Sequence, residues 1–369
     1  MSDYQNSAPR VIDVRGTHYQ MGFQHAQQVK ALLPAIRTAI DARFAQLAKD
    51  QPDEAFEAAV NETVAILETH DPATLALIGG LADGLGVEYG RLLRYNLVTF
   101  LRDILTTRKA LSADDGCSTW AATGAATVDG QPILAKNRDF SLLHLPLQTV
   151  VRAKPDVGYR CTYITSAGSP GVFVAGFNEA GLALVDTHVS SLDVGPGLPT
   201  FALSMHVLEE HDSVRSALEY LKSTPRLGRN NVLLADACGD IALFEIGNQH
   251  FAVREAESGI LVNTNHFTCD EMIPFYVDTD TAAVRGNSHR RYEFLAQQLK
   301  QAHGTIDLAF AQELMGSHTD HLSTICRHPT PDETTSTISA SIFLPGQTRM
   351  LFCHGFPCSR TYIELALVC

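Results

Sequence analysis

The sequence predicts an α+β protein of antiparallel sheets covered by helices, with a helical N-terminal segment. Three observations carry this. Apolar residues recur at helical spacing from Val29 to Ile104. After residue 116 the pattern switches to short apolar runs joined by Gly-containing turns. Two helical blocks then interrupt strands whose connections are mostly hairpin-length.

In the first segment, Val29, Leu33, Ile36, Ile40, Phe44 and Leu47 form one helical stripe, with Pro34 expected to bend its first turns. Phe56, Val60, Val64 and Leu67 form a second, opened by Pro52-Asp53. Tyr89, Leu93, Leu97, Phe100 and Ile104 form a third. The intervening Gly79-Gly80 and Gly84-Leu85-Gly86 lack the Lys-Ser/Thr ending of a phosphate loop and read as helix termination. Beyond the switch, Thr119 to Val128 and Gln131 to Ala135 read as a hairpin turning at Asp129-Gly130. Further strands are expected at 161–165, 172–177, 182–188, 231–235, 241–246, 251–254, 260–264, 337–344 and 349–353. The helical blocks cover about 201–222, with Asp212-Ser213 as an internal cap, and about 288–315.

The chain has 369 residues, 45% of them apolar, with 28 basic against 41 acidic groups and a net charge of -13. A chain of this length buries roughly 75% of its unfolded surface and needs no disulfide or metal to fold. The acidity is spread along the chain. It argues against nucleic acid and against an anionic membrane as partners. The polar N-terminus has no signal-peptide core and no apolar run approaches a membrane span, so a cytoplasmic protein is expected. None of the eight cysteines forms a Cys-x-x-Cys pair, and most read as small apolar groups.

Cys117 is different, because it follows Gly116 at the sharpest boundary in the chain. Cutting the Gly116–Cys117 bond would make Cys117 a terminus with both a thiol and an α-amine. An α-amine has a reference pKa of about 7.7–8.0 and can serve as general base to its own thiol. An N-to-S acyl shift onto the Gly116 carbonyl, followed by hydrolysis, would release it. The competing reading is a buried free cysteine at a strand start. A tight hairpin turn would pair Trp120 with Asp139 and bring Asn137-Arg138-Asp139 back near Cys117, although a bulge or wider turn would alter that register. Asp139 could then orient the α-amine and Arg138 could face an anionic substrate. Ordinary strand-end turn chemistry is the alternative.

Seven segments in order resemble the acyl-coenzyme A:6-aminopenicillanic acid acyltransferases (isopenicillin N acyltransferases), a family of N-terminal-nucleophile hydrolases. They are Asp115-Gly116-Cys117-Ser118-Thr119, Lys136-Asn137-Arg138-Asp139-Phe140, Ile164-Thr165-Ser166-Ala167-Gly168, Gly176-Phe177-Asn178-Glu179-Ala180-Gly181, Thr264-Asn265-His266, Arg291-Tyr292-Glu293-Phe294-Leu295 and Leu322-Ser323-Thr324-Ile325-Cys326-Arg327. The resemblance implies a four-layer αββα sandwich. It implies a precursor that cuts itself into an α chain, residues 1–116, and a β chain, residues 117–369, that stay together. It makes Cys117 the nucleophile and Asp139 the aspartate near the amine. Asn265 becomes the asparagine whose amide helps hold the oxyanion, a contribution of about 2.7–4 kcal/mol. Arg327 becomes an arginine near the nucleophile. Arg138 stands where the family often has an aromatic, which bears on the acyl pocket.

The implied enzyme cleaves or transfers the acyl group of a small N-acylated compound and uses no cofactor and no metal. Its partners are that small amide or acyl substrate and its own two chains, with a homo-oligomer possible. Two alternatives remain at this stage. His318, His321, Cys326 and His328 carry metal-ligand types at no standard spacing and would suit a metallohydrolase. A non-catalytic relative could keep the fold as a binding module. Cys353 to Cys358 reads as a turn, and Arg226, Arg229, Arg285, Arg290 and Arg291 read as solvated helix surface.

Overall fold

The structure, a computed structural model, describes residues 9–109, 116–279, 285–320, 322–329, 335–359 and 361–366. Strand β1 (Arg10–Gly16) precedes five helices: α1 (His18–Gln28), α2 (Leu33–Asp50), α3 (Glu54–His70), α4 (Pro72–Leu85) and α5 (Tyr89–Lys109). There follow β2 (Gly116–Gly124), β3 (Gly130–Ser141), β4 (Gln148–Pro155), β5 (Cys161–Ser166), β6 (Ala175–Asn178) and β7 (Ala183–His188). After α6 (Thr200–Glu210) and α7 (Val214–Ser223) come β8 (Asn230–Ala235), β9 (Ile241–Ile246), β10 (Phe251–Glu255) and β11 (Ile260–Asn263). The chain continues with α8 (Asn287–Gln301), α9 (Leu308–Met315), β12 (Thr335–Leu344), β13 (Arg349–His354) and β14 (Tyr362–Ala366).

The strands form two sheets, ordered β1-β4-β5-β6-β7-β8-β9-β10 and β11-β2-β3-β12-β13-β14. Side chains alternate across a strand, so neighbouring apolar residues go to different cores. Val150, Leu233 and Leu243 of the larger sheet meet Ala121, Leu134 and Phe343 of the smaller one in a core between the sheets. Their neighbours Val151, Leu234 and Phe244 face outward, against Phe56, Leu77, Leu101 and Leu208 of the helices from α1 to α7. On the far side, Trp120, Ala122 and Ile342 pack on Leu295 and Leu299 of α8 and Leu314 of α9. The layers therefore run α, β, β, α, as the resemblance implied.

Three expectations are corrected. The N-terminal segment is not purely helical: β1 pairs in parallel with β4 from Arg10↔Thr149 to Gly16↔Pro155. A parallel edge strand needs no hairpin turn in sequence, so the turn signals could not find it. Pro34 stands in the first turn of α2, where its missing N–H has no partner to lose, and it opens that helix instead of bending it. Of the glycine cluster, only Gly86 ends a helix, with φ 67°. Gly80 and Gly84 lie inside α4, where a Cβ would come within 2.0 Å of the Tyr19 carbonyl oxygen or 2.5 Å of the Ala26 Cβ. They let α4 cross α1 at backbone contact.

One ion-pair cluster joins the helices of the outer layer. His206 of α6 lies 3.1 Å from Asp71 and 3.0 Å from Glu210. Asp71 also caps α4 by accepting the Thr74 N–H at 2.9 Å. Burial pulls the His206 pKa down, but Asp71 and Glu210 outweigh it and raise it to about 9. The stabilisation is present in full below the unfolded value of 6.5 and is lost as pH rises through about 9. His206→Gln is therefore expected to cost on the order of 2–3 kcal/mol at about pH 6 and little near pH 10. Urea unfolding at the two pH values checks this, and an equal loss at both would exclude the charge as its cause.

Candidate active site

Residue Cys117 is the second residue of β2, opposite Arg138 of β3, and Gly116 lies opposite Asp139. The tight turn anticipated at Asp129-Gly130 is replaced by a wider one. The register slips between Ala122 and Gly124, and Gly124 pairs with Gly130 across residues 125–129. Trp120 consequently faces Ala135, and Asp139 moves four positions closer to the start of β2 than a two-residue turn would put it.

Alternation divides the roles of the two strands. Ala121 faces the second sheet while Trp120 and Ala122 face α8 and α9. Cys117, with the same parity as Ala121, belongs to the intersheet side, as does its partner Arg138. The Arg138 guanidinium reaches Ser166 of the opposite sheet at 3.4 Å and lies 5.2 Å from the Phe140 ring. Asn137 and Asp139 point the other way. Asn137 Nδ2 donates to the carbonyls of Met315, at 2.8 Å, and Ile325, at 3.0 Å.

The Cys117 side chain is buried, and its backbone N–H donates to Asn265 Oδ1 at 2.9 Å. Asn265 lies just beyond the end of β11. Its own N–H donates to Ser288 Oγ at 2.8 Å, and its Nδ2 donates to the His188 carbonyl at 2.9 Å. Donors on one side and an acceptor on the other fix the orientation of this amide. Its oxygen addresses the Cys117 nitrogen, and one of its two Nδ2 hydrogens goes to the His188 carbonyl.

A residue placed elsewhere by the sequence reading completes this layer. Arg291 is not on a solvated surface but 2% exposed, and its guanidinium donates to the Cys117 carbonyl at 2.5 Å, Ser118 Oγ at 2.9 Å and Asn265 Oδ1 at 2.7 Å. Its Nε donates to Asn287 at 2.7 Å. Arg226 and Arg229 are likewise buried, and only Arg285 and Arg290 of that group are exposed. Asn287, Ser288, Arg291, Leu295 and Leu299 are the buried positions of α8. A charged residue in helical phase with Leu295 and Leu299 was the available signal.

Asp139 is 1% exposed and receives the Thr337 hydroxyl on Oδ1 at 2.6 Å. Its Oδ2 lies 3.7 Å from Arg327 and has no hydrogen-bond partner among the described residues. Arg327 is itself held by Thr337, which accepts the Arg327 N–H on its hydroxyl at 2.8 Å and donates its N–H to the Arg327 carbonyl at 3.0 Å. Gly116 is wedged between these groups. A Cβ there would lie 2.7 Å from Arg327 and 3.1 Å from Asp139 Oδ2. The structure thus brings Gly116, Cys117, Arg138, Asp139, Asn265 and Arg327 together.

A cavity of about 280 Å³ opens beside this cluster, walled in part by Arg43, Asp103, Phe140, His144, His188 and Arg229. His188, whose carbonyl holds Asn265, turns its ring to Asp103 at 2.7 Å, and Arg229 meets the same carboxylate at 2.9 Å. Burial pushes Asp103 up, but Arg229 and His188 together hold its pKa below the ordinary carboxylate value. Burial, with Arg138 and Arg43, lowers His144 to about 3, so this wall is neutral imidazole near neutral pH.

Of the candidate metal ligands, His318, Cys326 and His328 gather, with Cys358 as an unforeseen fourth, while His321 lies outside the described residues. Among the described residues, no helix is long and apolar enough to cross a membrane.

The model of the family described as acyl-coenzyme A:6-aminopenicillanic acid acyl-transferase matches residues 126–358. No curated protein matches the sequence significantly. Similar solved structures include a point mutant of conjugated bile acid hydrolase from Clostridium perfringens, at 14% identity and a TM-score of 0.47, covering 68% of this chain and 92% of that one. A second variant of the same hydrolase stands at 15% and 0.46, with the same coverage. Penicillin V acylase from Agrobacterium tumefaciens is 15% identical with a TM-score of 0.37, covering 66% and 76%.

Proposed function

Because the chain belongs to the acyl-coenzyme A:6-aminopenicillanic acid acyl-transferase family, we propose that it is a self-processing N-terminal cysteine amidohydrolase or acyltransferase acting on a small N-acylated compound. The observation that carries this reading is the polar cage around the Gly116–Cys117 bond. Asn265 holds the Cys117 nitrogen, and Asp139 and Arg327 flank Gly116.

Processing begins when the Cys117 thiol attacks the Gly116 carbonyl carbon. The C–N bond breaks, the acyl group moves to sulfur, and the nitrogen takes up a proton. Water then hydrolyses the thioester, leaving a carboxylate on Gly116 and a free α-amine and thiol on Cys117. The new amine has more hydrogens than the amide it replaces. Asn265 Oδ1 already accepts one, and Asp139 Oδ2 is a buried acceptor with capacity for another. In turnover the amine takes the thiol proton, the sulfur attacks the substrate carbonyl, and the amine protonates the leaving nitrogen. The oxyanion is met by the second Nδ2 hydrogen of Asn265 and by backbone N–H groups. Water or an amine then accepts the acyl group. The cavity, lined by Phe140 and His188 next to the cage, has room for a small substrate group, and its Arg43, Arg102 and Arg229 favour an anionic one.

Intact-mass and N-terminal sequencing of the wild-type protein test this. Two fragments meeting at Gly116/Cys117 are expected, and alkylation of the new thiol should abolish amide turnover. An uncut chain that still turns over an amide would overturn the mechanism. An uncut, thiol-inert and inactive chain would instead make it a non-catalytic relative.

A further inference from the structure

A second group of side chains lies apart from the cage. The ligand atoms of His318, Cys326, His328 and Cys358 all fall within 4.8 Å of one another. We infer that these two imidazoles and two thiolates form a structural site for a single zinc ion, or a divalent cation of similar softness.

The distances have the right scale. With Zn–S of about 2.3 Å and Zn–N of about 2.0–2.1 Å, a tetrahedral shell has S···N edges of roughly 3.5–3.6 Å. His328 Nε2 lies 3.4 Å from Cys358 Sγ and 3.7 Å from Cys326 Sγ. Three ligands come from the segment after α9, and the fourth comes from the turn after β13. Gly316 at the end of α9 makes that meeting possible. A Cβ there would lie 3.1 Å from the Cys358 Cα and from the Pro357 carbonyl oxygen. His328 is further oriented by stacking on Phe356, with ring centroids 4.1 Å apart.

Binding replaces two S–H bonds with two metal–sulfur bonds and releases two protons, while both imidazoles bind neutral. The cation and the two thiolates then sum to zero charge. Four protein ligands close the shell and leave no position for water or substrate. That makes the site structural and does not favour a metallohydrolase. Arg327 sits between two of the ligands, so the ion would fasten the strap that carries Arg327 to Asp139. This last consequence rests on the proposed function, but the site itself does not.

Metal analysis of untagged protein from zinc-supplemented growth tests it. About one zinc per chain is expected, with at least about tenfold weaker retention in Cys358→Ser and in His328→Gln. Cobalt substitution should give the thiolate-to-cobalt charge-transfer band of a tetrahedral site, and a chelator should lower the wild-type melting temperature until zinc is restored. These last two readouts need no variant to fold and no enzymatic activity. Metal-free protein whose melting ignores both chelator and zinc would overturn the inference. So would a peptide map, taken without reductant, that joins Cys326 to Cys358 in a disulfide instead.

Discussion

Cys117→Ala is expected to remain a single chain and to lose amide turnover by at least about 10⁴-fold. In the proposed mechanism one atom would serve both steps: the sulfur would open the Gly116 carbonyl and afterwards carry the acyl group. Asn265, Asp139 and Arg327 surround the bond, and none of them carries a thiol to replace the lost sulfur. The fold should survive. The exchange removes a single buried sulfur and leaves the backbone bond to Asn265 in place, so the stability loss should stay within about 0.5–3 kcal/mol. Intact mass against time, turnover per mole of protein and circular dichroism report the three quantities together. A Cys117→Ala chain that is still cut at Gly116 would remove sulfur from the mechanism.

The second large effect belongs to Arg291. Arg291→Met should destabilise the uncut chain by about 3–5 kcal/mol, the range for stripping one partner from a buried charged network. The guanidinium ties α8 to β2 and to Asn265 through three hydrogen bonds and makes a fourth to Asn287 of its own helix. Without it, the Cys117 carbonyl and Asn265 Oδ1 each lose a charged donor in a buried setting. Asn265 would also lose the contact that keeps its oxygen toward the Cys117 nitrogen. Processing should slow by about 10²-fold or more on the scale of a lost transition-state donor, about 2.7 kcal/mol. Arg291→Lys should recover part of the stability but little of the rate, since an ammonium cannot reach three acceptors in a fixed fork. Urea midpoints measured in the Cys117→Ala background separate stability from cutting. An unchanged midpoint would show that the network carries no net energy.

Much of the architecture was legible because it is written in local patterns. Strands β8 to β11 are apolar with short turns, and their expected bounds fall within a residue or two of those observed, but only β8 to β10 form a meander, because β11 crosses to the other sheet and pairs with β2. The internal cap at Ser213 also stands, accepting the Ser216 N–H ahead of α7. What escaped depends on distant partners. The strand β1 is defined by β4, more than a hundred residues away, and the glycines of α4 by the backbone of α1. The hairpin register turned on a five-residue turn across 125–129, with a one-residue slip between Ala122 and Gly124, in place of the two-residue turn that Asp129-Gly130 suggests. The nearness of Cys117 to Asp139 was readable from the two segments of one hairpin. Arg291 was not, because a lone arginine beside another at Arg290 looks like surface until its helical phase is compared with Leu295 and Leu299. Cys358 was missed for the related reason that its companions lie some thirty residues earlier.

The edge strand β1 has a consequence for how the molecule would respond to being cut. Residues 10–16 are stitched along β4, and the five helices behind them fill the same core as α6 and α7. A break after Gly116 would therefore leave one body made of two polypeptides. The uncut precursor assembles within a single chain, at a rate independent of its concentration. The cut form, once unfolded, would have to reassemble by bimolecular collision, slowly when dilute and in competition with aggregation of the exposed sheet faces. Cleavage would thus act as a one-way gate on folding, with the first chain built into the native state and the route back to it closed behind.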